Sequence, residues 1–162
     1  MTACVKRKSA AAALQSGVAY RCEPAKPHDL GRALELLRQE KLPEDGVVEQ
    51  FGHFLVVRED TQLIGVCGIE IQGKYGILRS VAVDPGFRET GVGDCLVRGA
   101  VELASGKLGL TALYLLTTTA QRYFERYGFH PTSREEAPAE IRESWELRVG
   151  CPETAVLMRR TL

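Results

Sequence analysis

The chain has 162 residues, 44% of them apolar and 26% charged, with 21 basic residues balanced by 21 acidic ones. That length holds one domain with a single core, and the even charge shows none of the clustered basic surplus expected of a nucleic-acid binder. No apolar run reaches the roughly 18 residues needed to cross a bilayer. The five cysteines (Cys4, Cys22, Cys67, Cys95 and Cys151) are scattered and form no Cys-x-x-Cys pair. They argue against a zinc site or a disulfide framework and for a reducing cytoplasm.

Residues 1–17 are basic and contain Ala and Ser, which reads as a disordered tail in preference to an organellar presequence. Residues 18–162 read as one domain. Val18–Glu23 is a short first strand, broken by Pro24 and Pro27. Leu30, Ala33, Leu34 and Leu37 recur at helical spacing, so His28–Lys41 reads as an amphipathic helix with Asp29 as a candidate cap. Leu42-Pro43 stops it. Three strands follow with short turns: Phe51–Arg58, Gln62–Gln72 and Tyr75–Val83. Val92, Leu96, Ala100 and Leu103 mark one face of a second helix, ended by Gly106 and Gly109. Leu110–Thr117 is a buried strand and Ala120–Tyr127 a short helix before Gly128. Phe129 starts another strand, Pro138–Arg148 contains a helix, and Thr154–Arg159 is the last strand. An antiparallel meander followed by strand–helix–strand predicts an α/β fold, a mixed and mostly antiparallel sheet with one parallel crossover and flanking helices.

The most informative segment runs from Val81 to Gly93. A β-branched strand ends, a loop follows, and glycines open a helix. Glycines remove side chains that would block close approach, and the free amides and dipole of the helix start favour an anion. Arg88 adds a cation. The order strand, Arg-x-x-Gly-x-Gly, helix resembles the pyrophosphate-binding signature of the GNAT acetyltransferase superfamily. Ala120–Phe129 is similar to the short helix and Gly-Phe turn found late in that superfamily. The resemblance implies acetyl-CoA as cosubstrate, held by Val81, Ala82, Val83, Arg88, Glu89, Thr90, Gly91, Val92, Gly93 and Asp94, with Phe124 and Arg126 beside the pantetheine arm. It implies no metal, no nucleic-acid partner and no membrane, and leaves a homodimer open.

Four pieces look like a narrower branch, the arsenic-resistance N-acetyltransferases that act on amino acids with an arsenic or phosphorus oxyacid tail. They are Lys41-Leu42-Pro43, Ile77–Val83, Leu115–Ala120 and Cys151–Met158. The acceptor implied is the amine of a small amino acid. An ordinary amino acid, a polyamine or an antibiotic amine is the alternative, and a non-catalytic acetyl-CoA-binding module is the rival of another class. Alternation along the strand places Arg79 on the face of Val81 and Val83. It then reads as a clamp on the acceptor's anionic tail, or else as the ion-pair partner of a carboxylate such as Glu70. Glu70 is the candidate base by the resemblance, acting directly or through water, against a solvated strand glutamate. Thr117 and Thr118 are assigned to the acceptor side, Thr117 with packing as its alternative. The hydroxyls of Thr118 and Thr119 either cap the short helix or face the site. Many members of the superfamily carry a tyrosine acid four residues before the Gly of the Gly-Phe turn. Here Phe124 stands there, and Tyr123, about 100° around the helix, is expected to point elsewhere.

Overall fold

The structure, a computed structural model, describes residues 19–162; the tail expected over residues 1–17 lies outside the described residues. A seven-stranded sheet runs in the order β1-β2-β3-β4-β5-β7-β6. Its strands are β1 (Cys22–Pro24), β2 (Phe54–Glu59), β3 (Gln62–Gln72), β4 (Tyr75–Val83), β5 (Ala112–Thr117), β6 (His130–Pro131) and β7 (Val156–Thr161). Every pairing is antiparallel except β4 with β5. This is the mixed sheet with one parallel crossover that the pattern of elements predicts. The crossover is the long helix α3 (Val92–Ser105). No described helix is long and apolar enough to cross a membrane.

Helix α3 buries Val92, Leu96, Val97, Ala100 and Ala104 against one face of the sheet, where they meet Cys67, Ile69, Leu78, Leu113 and Leu115. The other face is covered in two patches. Helix α1 (Leu30–Gln39) and α2 (Val47–Gln50) pack Leu36, Leu37 and Val47 onto Phe54, Val56, Val66 and Ala82. Helix α5 (Ala139–Arg142) and the π turn Glu146–Gly150 pack Ile141 and Leu147 onto Ile77, Tyr114 and Leu157. Helix α4 (Gln121–Glu125) adds Phe124 to the α3 side.

Several boundaries differ from the sequence expectations. The first helix is split, with a 3-10 turn at Pro27–Asp29 before α1. Asp29 does not cap α1. Its carboxylate accepts from the Lys26 amide at 2.7 Å and from Arg58 Nη2 at 2.6 Å. Burial opposes its charge, but these donors outweigh burial and hold the carboxyl below its usual range. The first strand is Cys22–Pro24, and its proline is tolerated because β1 is an edge. The helix expected within Pro138–Arg148 is the short α5 (Ala139–Arg142), and a π turn follows it at Glu146–Gly150. That π turn is tight at its end, because a Cβ on Gly150 would stand 2.2 Å from the Trp145 ring.

One irregularity governs the site. Gly68 pairs with Arg79 and Val66 with Ala82, so Ser80 and Val81 together oppose Cys67. This is a β-bulge, and Ser80 adopts φ 56° within it. Alternation is inverted across it. Leu78, Val81 and Val83 all lie on the α3 face, while Ile77, Arg79 and Ala82 lie on the other. The expectation that Arg79 shares a face with Val81 and Val83 is therefore corrected: the extra residue turns Arg79 to the opposite side.

Candidate functional site

The β4–β5 ladder contains only three pairs, Tyr75–Ala112, Gly76–Leu113 and Ile77–Tyr114. Beyond them the strands part, and the backbone of Ser80–Val83 has no strand partner on that side. The gap opens into a cleft of about 1310 Å³, lined by Arg79–Val83 on one wall and Leu115–Ala120 on the other. Its rim carries Glu40–Pro43, Arg88, Glu89, Asp94, Tyr123, Arg126 and Gly150–Pro152.

The α3 end of the cleft is built from backbone. Gly91 precedes the helix with φ 97°, a conformation natural to glycine. The first intrahelical bond of α3 runs from Cys95 N–H to Gly91 O at 3.0 Å. The amides of Val92, Gly93 and Asp94 thus have no intrahelical acceptor, the condition under which a helix start can receive an anion. The loop before them is stiffened locally. Asp84 accepts from the Gly86 amide at 3.0 Å and from Arg32 Nη2 at 3.0 Å, while Thr90 Oγ1 donates to Phe87 O at 2.6 Å. Arg88 is exposed and ion-paired with Glu40, from the end of α1.

Among the residues expected here, Val81, Ala82, Val83, Arg88, Glu89, Gly91, Gly93, Asp94, Phe124 and Arg126 do line the cleft. Thr90 and Val92 do not. The Thr90 hydroxyl is used inside the loop, and the Val92 side chain is core, so each can offer only its backbone. Tyr123 departs from expectation. It lines the cleft, and a Cβ on Gly93 would lie 2.6 Å from its hydroxyl. The Arg126 guanidinium covers the Tyr123 ring at 4.7 Å. Burial, then the nearby Asp94 charge, pushes the Tyr123 phenol above its ordinary value. Phe124 is mostly core and packs edge-on against Phe129.

The other end is built from charged side chains. Arg79 is buried; Nη1 donates to Glu70 at 2.9 Å, Nη2 to the Asp45 carbonyl at 2.6 Å and Nε to Ser80 Oγ at 3.4 Å, while Nε is also ion-paired with Glu146 at 3.1 Å. The ion pair with Glu70, the alternative reading of Arg79, is what forms. A guanidinium engaged on three sides has little left for a carboxylate clamp. Glu70 sits behind Arg79 and off the cleft wall, with its second oxygen accepting from Gln72 Nε2 at 2.6 Å. It therefore holds Arg79, and both of its oxygens are engaged. Thr117 lines the cleft; its Oγ1 accepts from the Ala120 amide at 2.9 Å, which braces the turn before α4 and leaves the hydroxyl proton free to donate. Thr118 and Thr119 stay exposed on the cleft wall.

Two residues carry more than their sequence context signalled. Glu146 is buried, in a segment read only as helix. Burial raises its carboxyl above the ordinary value, and the pull of Arg79 only partly offsets this. Cys151 lines the cleft, and its thiol donates to Glu146 Oε2 at 3.5 Å. Burial, then the Glu146 charge, pushes that thiol up to about 11. No group of His, Cys, Asp and Glu among the described residues is arranged to hold a metal ion.

A family model described as an acetyltransferase (GNAT) domain matches residues 50–131. The amino-acid acetyltransferase of Azotobacter vinelandii is 32% identical over 122 residues, which cover 68% of this chain and 28% of that protein. The amino-acid acetyltransferase of Pseudomonas aeruginosa (strain LESB58) is similar to the same extent, 32% over 122 residues and 28% of its length. The chain thus spans just over a quarter of these relatives. Among solved structures, N-acetylglutamate synthase from Neisseria gonorrhoeae complexed with coenzyme A and N-acetyl-glutamate matches with a TM-score of 0.76 at 19% identity, over 91% of this chain and 36% of that one. A Mycobacterium tuberculosis protein in complex with CoA matches with a TM-score of 0.74 at 19% identity, over 87% of this chain and 98% of its own. At these identities the structural likeness speaks to the fold.

Proposed function

The chain belongs to the GNAT acetyltransferase family, and we propose that it moves the acetyl group of acetyl-CoA onto the amine of an amino acid. The observation that carries this reading is the parting of β4 and β5 over a cleft that ends on the free amides of α3. The residues present fit coenzyme A. Gly91 and Gly93 leave the helix start open to a pyrophosphate, and the amides of Val92, Gly93 and Asp94 can bond its oxygens. Arg88 adds charge once it leaves Glu40. Tyr123 donates its phenol at the same end, which makes it a phosphate ligand in place of a general acid. The unpaired backbone of Val81–Val83 bonds the pantetheine arm as another strand would, and Phe124 and Arg126 flank it.

In the transfer step the amine attacks the thioester carbon while both substrates are bound. Holding them in register supplies much of the rate, on the order of 7–11 kcal/mol in good cases. The backbone amide at Val81 steadies the developing oxyanion. A thiol has an ordinary pKa of about 8.5, so the thiolate departs without a tyrosine at position 124. Lys41 lines the cleft and has φ 56°. Lys41, an exposed cation at a φ where glycine is favoured, is placed to take the carboxylate-binding role in place of Arg79, whose guanidinium is largely engaged. The finer acceptor, an amino acid with an arsenic or phosphorus oxyacid tail, uses the same cation. The free thiols Cys22, Cys67, Cys95 and Cys151 fit a reducing cytoplasm.

The test is thiol release from acetyl-CoA with a panel of amines: L-glutamate, L-alanine, spermidine, kanamycin, phosphinothricin and arsinothricin. Saturable turnover with an amino acid is expected. Calorimetric binding of coenzyme A without turnover on any amine would instead favour a non-catalytic module.

A further inference from the structure

Resting on the transferase reading, we infer that Glu146 is the base that takes a proton from the acceptor's ammonium, reached from the cleft past Cys151. The argument starts from charge. Glu70 and Glu146 are both buried beside a single guanidinium, that of Arg79. One cation between two carboxylates leaves one negative charge without a cationic partner in a dry setting, where it is costly. The two acids are not equivalent. Both Glu70 oxygens accept from strong donors, Arg79 Nη1 and Gln72 Nε2. Glu146 Oε1 is ion-paired with Arg79 Nε at 3.1 Å but takes no hydrogen bond from it, and Oε2 accepts only from the thiol of Cys151, a weak donor.

The positions agree with this asymmetry. Glu146 is not itself in the cleft wall, but Cys151 is, and it is the side chain hydrogen-bonded to Glu146 Oε2, so that oxygen lies one side chain behind the wall and is reached when the thiol turns aside. The charged and titratable groups around Glu146 are Arg79 on β4, Glu70 on β3, Asp45 before α2, and Cys151 with Arg134 on its own side. An ammonium entering the cleft supplies the counter-charge that this set lacks. A carboxyl pushed upward by burial also has its proton affinity moved toward that of the group it must deprotonate, which is what a general base at neutral pH requires.

The proton balance closes. An N–H bond of the ammonium breaks and an O–H bond forms on Glu146 Oε2, leaving a neutral amine. That amine attacks the thioester carbon, the C–S bond breaks, and the thiolate leaves with the electron pair. The nitrogen's surplus proton leaves with the thiolate as the thiol, and Glu146 returns its own proton to solvent. Cys151 is not a covalent carrier of the acetyl group, because its thiol is pushed up to about 11 and holds little thiolate at neutral pH.

The experiment compares wild type, Glu146→Gln and Glu146→Asp with the fastest acceptor of the panel above, across pH 6 to about 10. Gln keeps an acceptor for Arg79 and removes the base. We expect kcat at pH 7 to fall roughly a hundredfold, the lower end for a lost general base, with acetyl-CoA affinity unchanged by calorimetry. The Gln variant should then climb by about tenfold per pH unit as solvent takes over the proton. Wild type should level off instead. Asp, which retains a shorter carboxylate, should keep the wild-type profile at a reduced rate and serves as the check where Gln fails to fold. A Gln variant with at least half of wild-type kcat at pH 7, or with the same fractional loss at every pH, overturns the assignment. Wild type that binds acetyl-CoA but turns over no amine is a different result, and it removes the transferase reading itself.

Discussion

The two ends of the cleft are made of different materials. At the α3 end the working groups are backbone amides, and side chains matter mainly by being small: Gly91 at φ 97° and Gly93 under the Tyr123 hydroxyl. At the other end the backbone sets only the stage, and the working groups are charges brought from β3, β4, the segment before α2 and the π turn. An amide site depends on one short stretch of chain. A charge site depends on four stretches and on a bulge that aims Arg79 away from α3. The first is robust to most neighbouring substitutions and intolerant at its glycines. The second is coupled, so that losing one member exposes the rest.

The largest effect expected from this contrast is on stability. Arg79→Met removes the one cation shared by Glu70 and Glu146 and leaves two buried carboxylates facing each other. Breaking a buried pair from one side costs about 3–5 kcal/mol, so urea denaturation should show a midpoint shift of that size at pH 7. Lowering the pH should recover part of it, because protonating Glu146 relieves the repulsion. A loss under 1 kcal/mol at pH 7 would mean that water or a bound ion replaces Arg79. The charge end would then be no more coupled than the amide end.

At the amide end the matching substitution is Gly91→Val. A Cβ on Gly91 meets no atom within 4 Å, so no clash in the free protein is expected. The penalty comes from a β-branched residue at φ 97° and from bulk where a pyrophosphate must approach. Acetyl-CoA affinity measured by calorimetry should fall at least a hundredfold, about 2.7 kcal/mol, in a protein that remains folded. Unchanged affinity would move the phosphate site away from this loop and leave the cleft's α3 end without its assigned ligand.

Legibility in the sequence follows the same division. The meander, the α3 crossover and the Arg88–Gly93 loop were readable because each depends on local signals: alternation, helical spacing, and glycines at a strand-to-helix junction. Arg79 was misplaced because alternation was carried straight through Ser80. The bulge there has no glycine to announce it, and a serine at φ 56° is invisible in composition. Tyr123 was placed by helical angle alone. Helix α4 is only five residues long, and its placement beside α3 brings the hydroxyl over Gly93. Glu146 carried no signal, since what sets it apart is burial beside Arg79, a residue 67 positions earlier (146 − 79) that only the folded sheet brings close. The threonine cap was not legible: neither Thr118 nor Thr119 caps α4, which has no side-chain cap, and Thr117 instead accepts from the Ala120 amide in the turn before it.

The smallest expected effect joins the two ends. Glu40 closes α1 and ion-pairs with Arg88 across the cleft rim, and the segment it begins reaches Asp45, whose carbonyl holds Arg79. Glu40 thus occupies the cation that the amide end needs for a phosphate, while its own chain leads to the charge end. On the proposed reading, binding of acetyl-CoA draws Arg88 away from Glu40. The Arg88 side chain is 56% exposed and that of Glu40 17%, so the pair is screened and its strength modest. Glu40→Gln removes the competitor without changing the size of the side chain. Acetyl-CoA affinity should rise by up to about fivefold, the ceiling for an exposed pair of about 1 kcal/mol, and the gain should shrink as salt is raised. The direction is what makes the test informative, since most substitutions on a cleft rim weaken binding. A weaker affinity would show that Glu40 aims Arg88 at the phosphate and does not withhold it. The two ends would then be linked by a support and not by a competition.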